Sequence, residues 1–350
     1  MPKSSLLSHQ SDPLAGFDGE RFLRIQEGAV AIRQGMRPLL RRLLDGGMER
    51  IFFIGAGGAR LLTLPAVALI RQASTFPVAT CHPAEVVLAP PAGLDARALV
   101  VIPSLSGTTR ESVALMAFLR ERGAVTLALT GHGDTPLARQ ADHGFVNFAE
   151  EDSAPESFGL QTLALALALL AETGACADHD ALLAGLAALP GPLLAAKAAY
   201  DPEAAQLAAR IGEEPFHILT GAGSAWPVAH HFGLSVLEPM QWIRTRPVHA
   251  ADFFHGTLEL VEPGVSVLIV KGEDAQRPLA DRVERFARRY TDKVWVVDAA
   301  RAALPGLPGP VRALASPLVL ATLLERLAAH LAARREHPLA ARRYYKRVEY

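Results

Sequence analysis

Ile51-Phe52-Phe53-Ile54-Gly55-Ala56-Gly57-Gly58-Ala59-Arg60 is a four-residue apolar run that ends in a glycine loop and passes into helical periodicity as far as Gln72. Apolar residues closed off by glycines and followed by a 3.6-residue spacing read as strand, turn and helix. The pattern restarts at Phe216-His217-Ile218-Leu219, followed by Thr220-Gly221-Ala222-Gly223-Ser224 and a helix from Trp226 to about Leu237. Two copies about one domain apart indicate an internal duplication of a domain, not a solenoid period.

Outward from the first copy, a polar tip to about Gly19 precedes a long helix over 22–44 that Gly46 and Gly47 stop. Strands over 76–80, 98–103, 124–130 and 145–148 alternate with helices over 83–88 and 108–122. A buried helix over 158–173 follows; its apolar run falls short of the ~20 residues a bilayer-spanning helix needs. An Ala/Leu-rich segment with Pro190 and Pro192 reads as the connection between halves. The second half continues with strands over 265–270 and 294–297 and helices over 278–290 and 318–334. Apolar strands alternating with helices predict an α/β fold, each half a parallel sheet flanked by helices on both faces. The expected division is a first domain over 22–175, a helical connection over 176–200, a second domain over 201–336 and a tail over 337–350.

Composition excludes several classes. Lys and Arg number 35 and Asp and Glu 36, a net charge of −1, so no overall positive field draws the chain to nucleic acid or an anionic membrane. Cys81 and Cys176 stand apart, without CxxC or Cys/His spacing, so neither a disulfide framework nor a zinc site is indicated and a reducing cytoplasm fits. The opening Met1-Pro2-Lys3-Ser4-Ser5 lacks the apolar stretch of a secretory signal.

Neither glycine loop matches a dinucleotide fingerprint: Arg60 stands where the third glycine of GxGxxG belongs in the first, and Trp226 in the second. No lysine follows to make a Walker loop. Gly57 and Gly58 therefore either approach a ligand or simply turn strand into helix. A stronger signal is Ser104-Leu105-Ser106-Gly107-Thr108-Thr109-Arg110-Glu111, where an apolar strand meets a helix start. Backbone N–H groups, the helix dipole and the hydroxyls of Ser104, Ser106, Thr108 and Thr109 suit a phosphate dianion. The plainer alternative is an N-cap, which needs one hydroxyl and not four.

A second constellation is Glu238-Pro239-Met240-Gln241-Trp242, then His249 and Asp252-Phe253-Phe254-His255-Gly256. A carboxylate and an imidazole among apolar neighbours suit acid–base work, or a purely structural pairing. His230 and His231 are adjacent, so they face different sides and make no metal pair, and HExxH is missing.

These residues resemble the sugar isomerase (SIS) domain family with two tandem domains, over about 22–350. Ser104 to Thr109 matches the family's Ser-x-Ser-Gly-x-Thr sugar-phosphate loop, and Glu156 with Thr162 resembles the segment after its fifth strand. Met240-Gln241-Trp242, His249, Phe253-Phe254-His255-Gly256 and the ending from His337 to Tyr350 look most like the fructosamine-6-phosphate deglycases, which release glucose 6-phosphate and a free amine. The resemblance implies that Ser104, Ser106 and Thr109 hold the phosphate, that Glu238 moves the proton between C1 and C2, and that His255 opens the ring, reaching into the partner's site of a homodimer. It places Gly57, Gly58, Thr108 and Glu156 at the substrate and requires no metal, flavin or pyridoxal cofactor. Glu238 lies one residue farther from His255 than the family spacing, with Pro239 at the family's Glu position or inserted beside it. Ala59 replaces a hydroxyl and Thr257 a proline. An aldose–ketose isomerase, an amino-sugar-phosphate deaminase and a non-catalytic sugar-phosphate sensor are the alternatives.

Overall fold

The computed structural model describes residues 17–345 and 347–349; the start of the chain read above as polar and signal-free, and Lys346 and Tyr350 of the tail, lie outside them. The chain opens with α1 (Gly19–Ala31) and α2 (Arg33–Asp45). The side chain of Asp18 caps α1 by accepting from Arg21 N at 2.9 Å. The single helix expected over 22–44 is thus two. The hydrogen-bond ladder stretches to 3.4 Å at Ile32 and Gly35 bonds back only three residues.

The first sheet follows as β1 (Arg50–Ile54), α3 (Gly57–Leu61), α4 (Leu64–Ala73), β2 (Val78–Cys81), α5 (Pro83–Leu88), β3 (Ala98–Ser104), α6 (Arg110–Glu121), β4 (Val125–Thr130), α7 (Pro136–Gln140) and β5 (His143–Val146). Three helices link the halves: α8 (Ala154–Glu172), α9 (His179–Ala187) and α10 (Pro190–Ile211). The second sheet comprises β6 (Phe216–Gly221), α11 (Ala225–His231), a π turn (Phe232–Leu237), α12 (Glu238–Gln241), β7 (Arg244–His249), β8 (Ser266–Lys271), α13 (Arg277–Ala287) and β9 (Val294–Asp298). The last long helix is α14 (Gly309–Arg334), nine residues longer at its start than the periodicity indicated.

Both sheets are wholly parallel, in the orders β2-β1-β3-β4-β5 and β7-β6-β8-β9. In each, the first strand of its half is flanked by the second and third, so β6, β7, β8 and β9 repeat β1, β2, β3 and β4. The fold is the α/β arrangement that the alternation predicts. The apolar pattern does not mark the edge strand β7, because Arg244, Arg246 and Pro247 break up its apolar content.

β3 is buried along its whole length, as a central parallel strand requires. Its alternate residues feed different cores: Leu99 and Val101 join one that continues through α8, α10 and α14 to Leu268 and Val270 of the second sheet. Val100 and Ile102 join an outer cluster under α6. The matching outer cluster of the second sheet holds Ile218, Ile269 and Val283. One apolar layer therefore lies between the two sheets. At 19 and 26 residues, α8 and α14 are long and apolar enough to cross a membrane, correcting the shorter estimate for α8, and both are mostly buried within the fold.

Within that layer sit charges. Lys197 is fully buried, forms an ion pair with Glu325, and stands 3.8 Å from Glu156 and 4.3 Å from the ring centroid of Phe17. Glu156, also fully buried, accepts from Thr322 Oγ1 at 3.0 Å. Burial pushes its carboxyl up to about 7, with Lys197 opposing and Glu325 reinforcing the rise. A carboxyl raised in the folded state gives its full stabilisation below its ordinary value of 4.5 and loses it as pH rises through about 7. Urea unfolding at pH 5 and pH 8 checks this: Glu156→Gln is expected to lose less stability than the wild type between the two, and an unchanged difference would show that Glu156 titrates normally.

Candidate active site

The carboxyl ends of the first sheet carry the hydroxyl loop. Ser104 is the last residue of β3, in register with Thr130 of β4, and its Oγ lies 3.2 Å from Thr109 Oγ1. Ser106 Oγ accepts from Thr108 N at 3.3 Å and from Thr108 Oγ1 at 3.0 Å. Gly107 has φ +59, and a Cβ there would come within 2.2 Å of Thr135 Oγ1, so only glycine fits. Thr109 is the N-cap of α6 yet makes no side-chain capping bond. The four hydroxyls thus surround an uncapped start of a 12-residue helix, where N–H groups and dipole favour an anion.

The first glycine loop meets the second half of the molecule. A Cβ on Gly58 would fall 2.8 Å from His231 Nε2 and from Ser235 Oγ, so the loop packs directly on α11 and the π turn. His231 is held neutral, its value pushed down to about 4 by burial and then by His230. His230 stacks on Trp226 at 5.0 Å, and Trp226 meets His249 edge-on at 5.6 Å. Burial lowers His230, the charge of Arg60 lowers it further, and Glu238 raises it. Arg60, His230 and Glu238 therefore share one electrostatic neighbourhood across the two halves.

Glu238 opens α12, half-buried, and accepts a hydrogen bond from Thr245 Oγ1. A π turn immediately precedes it. Pro239 has no N–H, and its ring crowds the carbonyl four residues back, which is Ser235 within that turn. A π turn holds one more residue than an α turn, and beyond it the helix runs on through Pro239 to Gln241. Trp242 then ends it in the left-handed conformation at φ 55.

The structure brings Gly57, Gly58 and the Ser104–Thr109 loop to the carboxyl edge of the first sheet, and the π turn that precedes Glu238 packs on Gly58. It leaves two predicted residues elsewhere. Glu156 lies inside the buried cluster of α8, α10 and α14. His255 is exposed in a 3₁₀ turn, Phe253–His255, with no side-chain hydrogen bond to the described residues. The tail folds back on the same region: His337 packs on Trp242 at 4.3 Å, its carbonyl accepts from Gln241 Nε2 at 2.8 Å, and Arg343 covers the other part of the Trp242 ring at 4.0 Å.

The second glycine loop is closed by the chain itself. Asp274, in the loop after β8, accepts from Ser224 N at 2.8 Å and Ser224 Oγ at 2.6 Å. Gly223, at φ +57, could bear no Cβ because Asp274 Oδ1 would lie 2.4 Å from it. A carboxylate thus occupies the donors of the second loop, at the strand end equivalent to the hydroxyl loop of the first half. Asp274 carries no motif, and Arg60 registers in the sequence only as a failed glycine fingerprint. Among the described residues no group of three or more His, Cys, Asp and Glu is placed to hold a metal.

The SIS domain family model matches residues 47–171. The solved structure of a chain assigned as a phosphosugar isomerase from Salmonella typhimurium LT2 is 30% identical, covers 91% of this chain and 97% of its own, and superposes with a TM-score of 0.85. The chain belongs to the SIS domain family. Fructosamine deglycase FrlB of Bacillus subtilis is 28% identical over 93% of this SIS protein and 100% of its own length. Fructoselysine 6-phosphate deglycase of Escherichia coli K12 is 26% identical over 89% of each chain.

Removing the carboxylate of Asp274 strands the Ser224 donors in a part-buried loop. Asp274→Ala is expected to cost about 1–3 kcal/mol in urea unfolding, and a loss below 0.5 kcal/mol, roughly the effect of an ordinary surface substitution, would show that the loop needs no anion.

Proposed function

We propose that the protein is a deglycase of phosphorylated Amadori compounds, converting a fructosamine 6-phosphate to glucose 6-phosphate and a free amine. The observation that carries this is the hydroxyl loop at the uncapped start of α6, facing a half that supplies Glu238. Similarity to two deglycases over nearly the whole chain supports the same reading.

In this reading Ser104, Ser106, Thr108 and Thr109 bind the phosphate, and Gly57 and Gly58 let the sugar approach the first loop. Glu238 takes a proton from C1 of the open-chain ketoamine and a proton is returned to C2. The C2 oxygen gains a proton as the nitrogen gives one up, so the C2 carbonyl becomes a hydroxyl and the C1–N bond becomes an imine. Water adds at C1, the C–N bond breaks with protonation of nitrogen, and the aldehyde of glucose 6-phosphate is left. Thr245 orients the carboxylate. His255, exposed and without an internal partner, protonates the ring oxygen in the neighbouring subunit of a homodimer. Glu156 acts at a distance, by fixing α8 behind the site. We further assign two tandem SIS domains, over 22–175 and 201–336, a connection over 176–200, a tail over 337–350 that closes the site, and a cytoplasmic location, which the free thiols Cys81 and Cys176 suit.

Coupled-dehydrogenase measurement of glucose 6-phosphate released from 6-phosphofructosyl amino acids tests the reading. The wild type is expected to turn over, and Glu238→Gln and His255→Ala to lose at least a hundredfold in kcat, within the range for a general acid or base, about 10²–10⁴. Ser104→Ala with Ser106→Ala is expected to raise KM. No release by the wild type, with fructose 6-phosphate still raising its melting temperature, would move the protein to the isomerases or sensors.

A further inference from the structure

Among the described residues, two that are not glycine hold a left-handed backbone: Trp242 at φ 55 and Glu336 at φ 50. They follow the ends of α12 and α14, positions that glycine takes without strain and other residues do not. The two turns meet. His337, next after Glu336, packs on the Trp242 ring at 4.3 Å, Arg343 lies over that ring at 4.0 Å, and Gln241 Nε2 donates to the His337 carbonyl at 2.8 Å. The same segment is anchored elsewhere. Arg335 donates to the Gly212 carbonyl, Leu339 packs on the apolar layer between the sheets, and Arg342 pairs with Glu151 of the first half at 3.0 Å. Residues 335–343 thus form a strap from the last helix across Trp242 to the loop before α8.

What the strap holds is the turn that sets Glu238. Trp242 N donates to Glu238 O at 3.2 Å, and Ile243 N to Leu237 O at 3.0 Å. Thr245, three residues beyond Trp242 on β7, returns to donate to the Glu238 carboxylate. With four residues and a π turn before it, α12 gains little rigidity from its own hydrogen bonds. A shift of Trp242 would therefore move both the carboxylate and the hydroxyl that orients it.

Resting on the deglycase reading, we infer that Trp242 is a positioning residue: its ring, gripped by His337 and Arg343, lets the strap fix the turn that aims Glu238 at C1. The strap acts on the protein's own base and not on the substrate, so loosening it lowers kcat and leaves the phosphate on the hydroxyl loop. A catalytic group displaced by about 1 Å loses on the order of a hundredfold in rate.

Glucose 6-phosphate release from a 6-phosphofructosyl amino acid, together with amide hydrogen exchange of the full chain, tests the assignment in wild type, Trp242→Ala, Trp242→Phe, Arg343→Ala and Glu238→Gln with Trp242→Ala. Trp242→Ala is expected to lose about tenfold or more in kcat with KM within about twofold, and Trp242→Phe to recover most of that loss. Arg343→Ala is expected to lose about two- to fivefold, the worth of one cation–π contact. In the double variant the Trp242 substitution should cost nothing beyond Glu238→Gln, because it acts through that carboxylate. Amides over 237–245 should exchange faster in Trp242→Ala and Arg343→Ala, while those of β3 and β8 keep their wild-type rates. An unchanged kcat, a loss carried by KM, a full further loss in the double variant, or unchanged exchange over 237–245 would each overturn the inference. If Trp242→Ala does not fold, Arg343→Ala, which alters an exposed side chain, decides by the same readings. If the wild type releases no glucose 6-phosphate, the deglycase reading falls by itself, and exchange decides whether the strap holds α12.

Discussion

The missing side chain at Gly58 is the constraint on which the site depends. It lets the loop after β1 lie against His231 and Ser235, so that the carboxyl edge of the first sheet touches the helix of the second half. Without that approach the hydroxyl loop and Glu238 would belong to separate surfaces. The shared apolar layer of α8, α10 and α14 holds the sheets in this relation, and close packing leaves it little room to yield.

The two halves differ at their equivalent loops. Both halves end their first strand in a glycine loop and their third strand in a turn over that loop. In the first half the turn brings hydroxyls and a helix start without a side-chain cap; in the second it brings Asp274, a carboxylate of the chain itself. The anion site proposed for the first half thus has a counterpart in the second that the chain fills with its own carboxylate. The second half is thereby free to serve as the support for Glu238, Thr245 and His230.

Much of this was legible in the chain. The alternation of apolar runs and helical spacing gives the parallel sheets, and the position of Ser104 to Thr109 between a buried strand and a helix gives the cradle. What escaped had weak local signals. β7 is an edge strand with two arginines and a proline, so neither run nor alternation marks it. The π turn shifts hydrogen-bond partners and spacing over only six residues, too few to register in the apolar pattern, and Pro239 is its only trace. Glu156 heads a long apolar run, and its burial depends on Lys197 and Thr322, which are distant in sequence. Arg60 and Asp274 acquire meaning only from what stands near them in three dimensions.

The central claim is that a sugar phosphate sits on the hydroxyl loop of the first half with C1 turned toward Glu238 of the second. A crystal structure with fructose 6-phosphate tests it most directly. The account predicts phosphate oxygens on the hydroxyls of Ser104, Ser106 and Thr109 and on the N–H groups at the start of α6, with the second glycine loop still holding Asp274. Phosphate density at the Gly221–Ser224 loop, or with C1 directed away from Glu238, would contradict it.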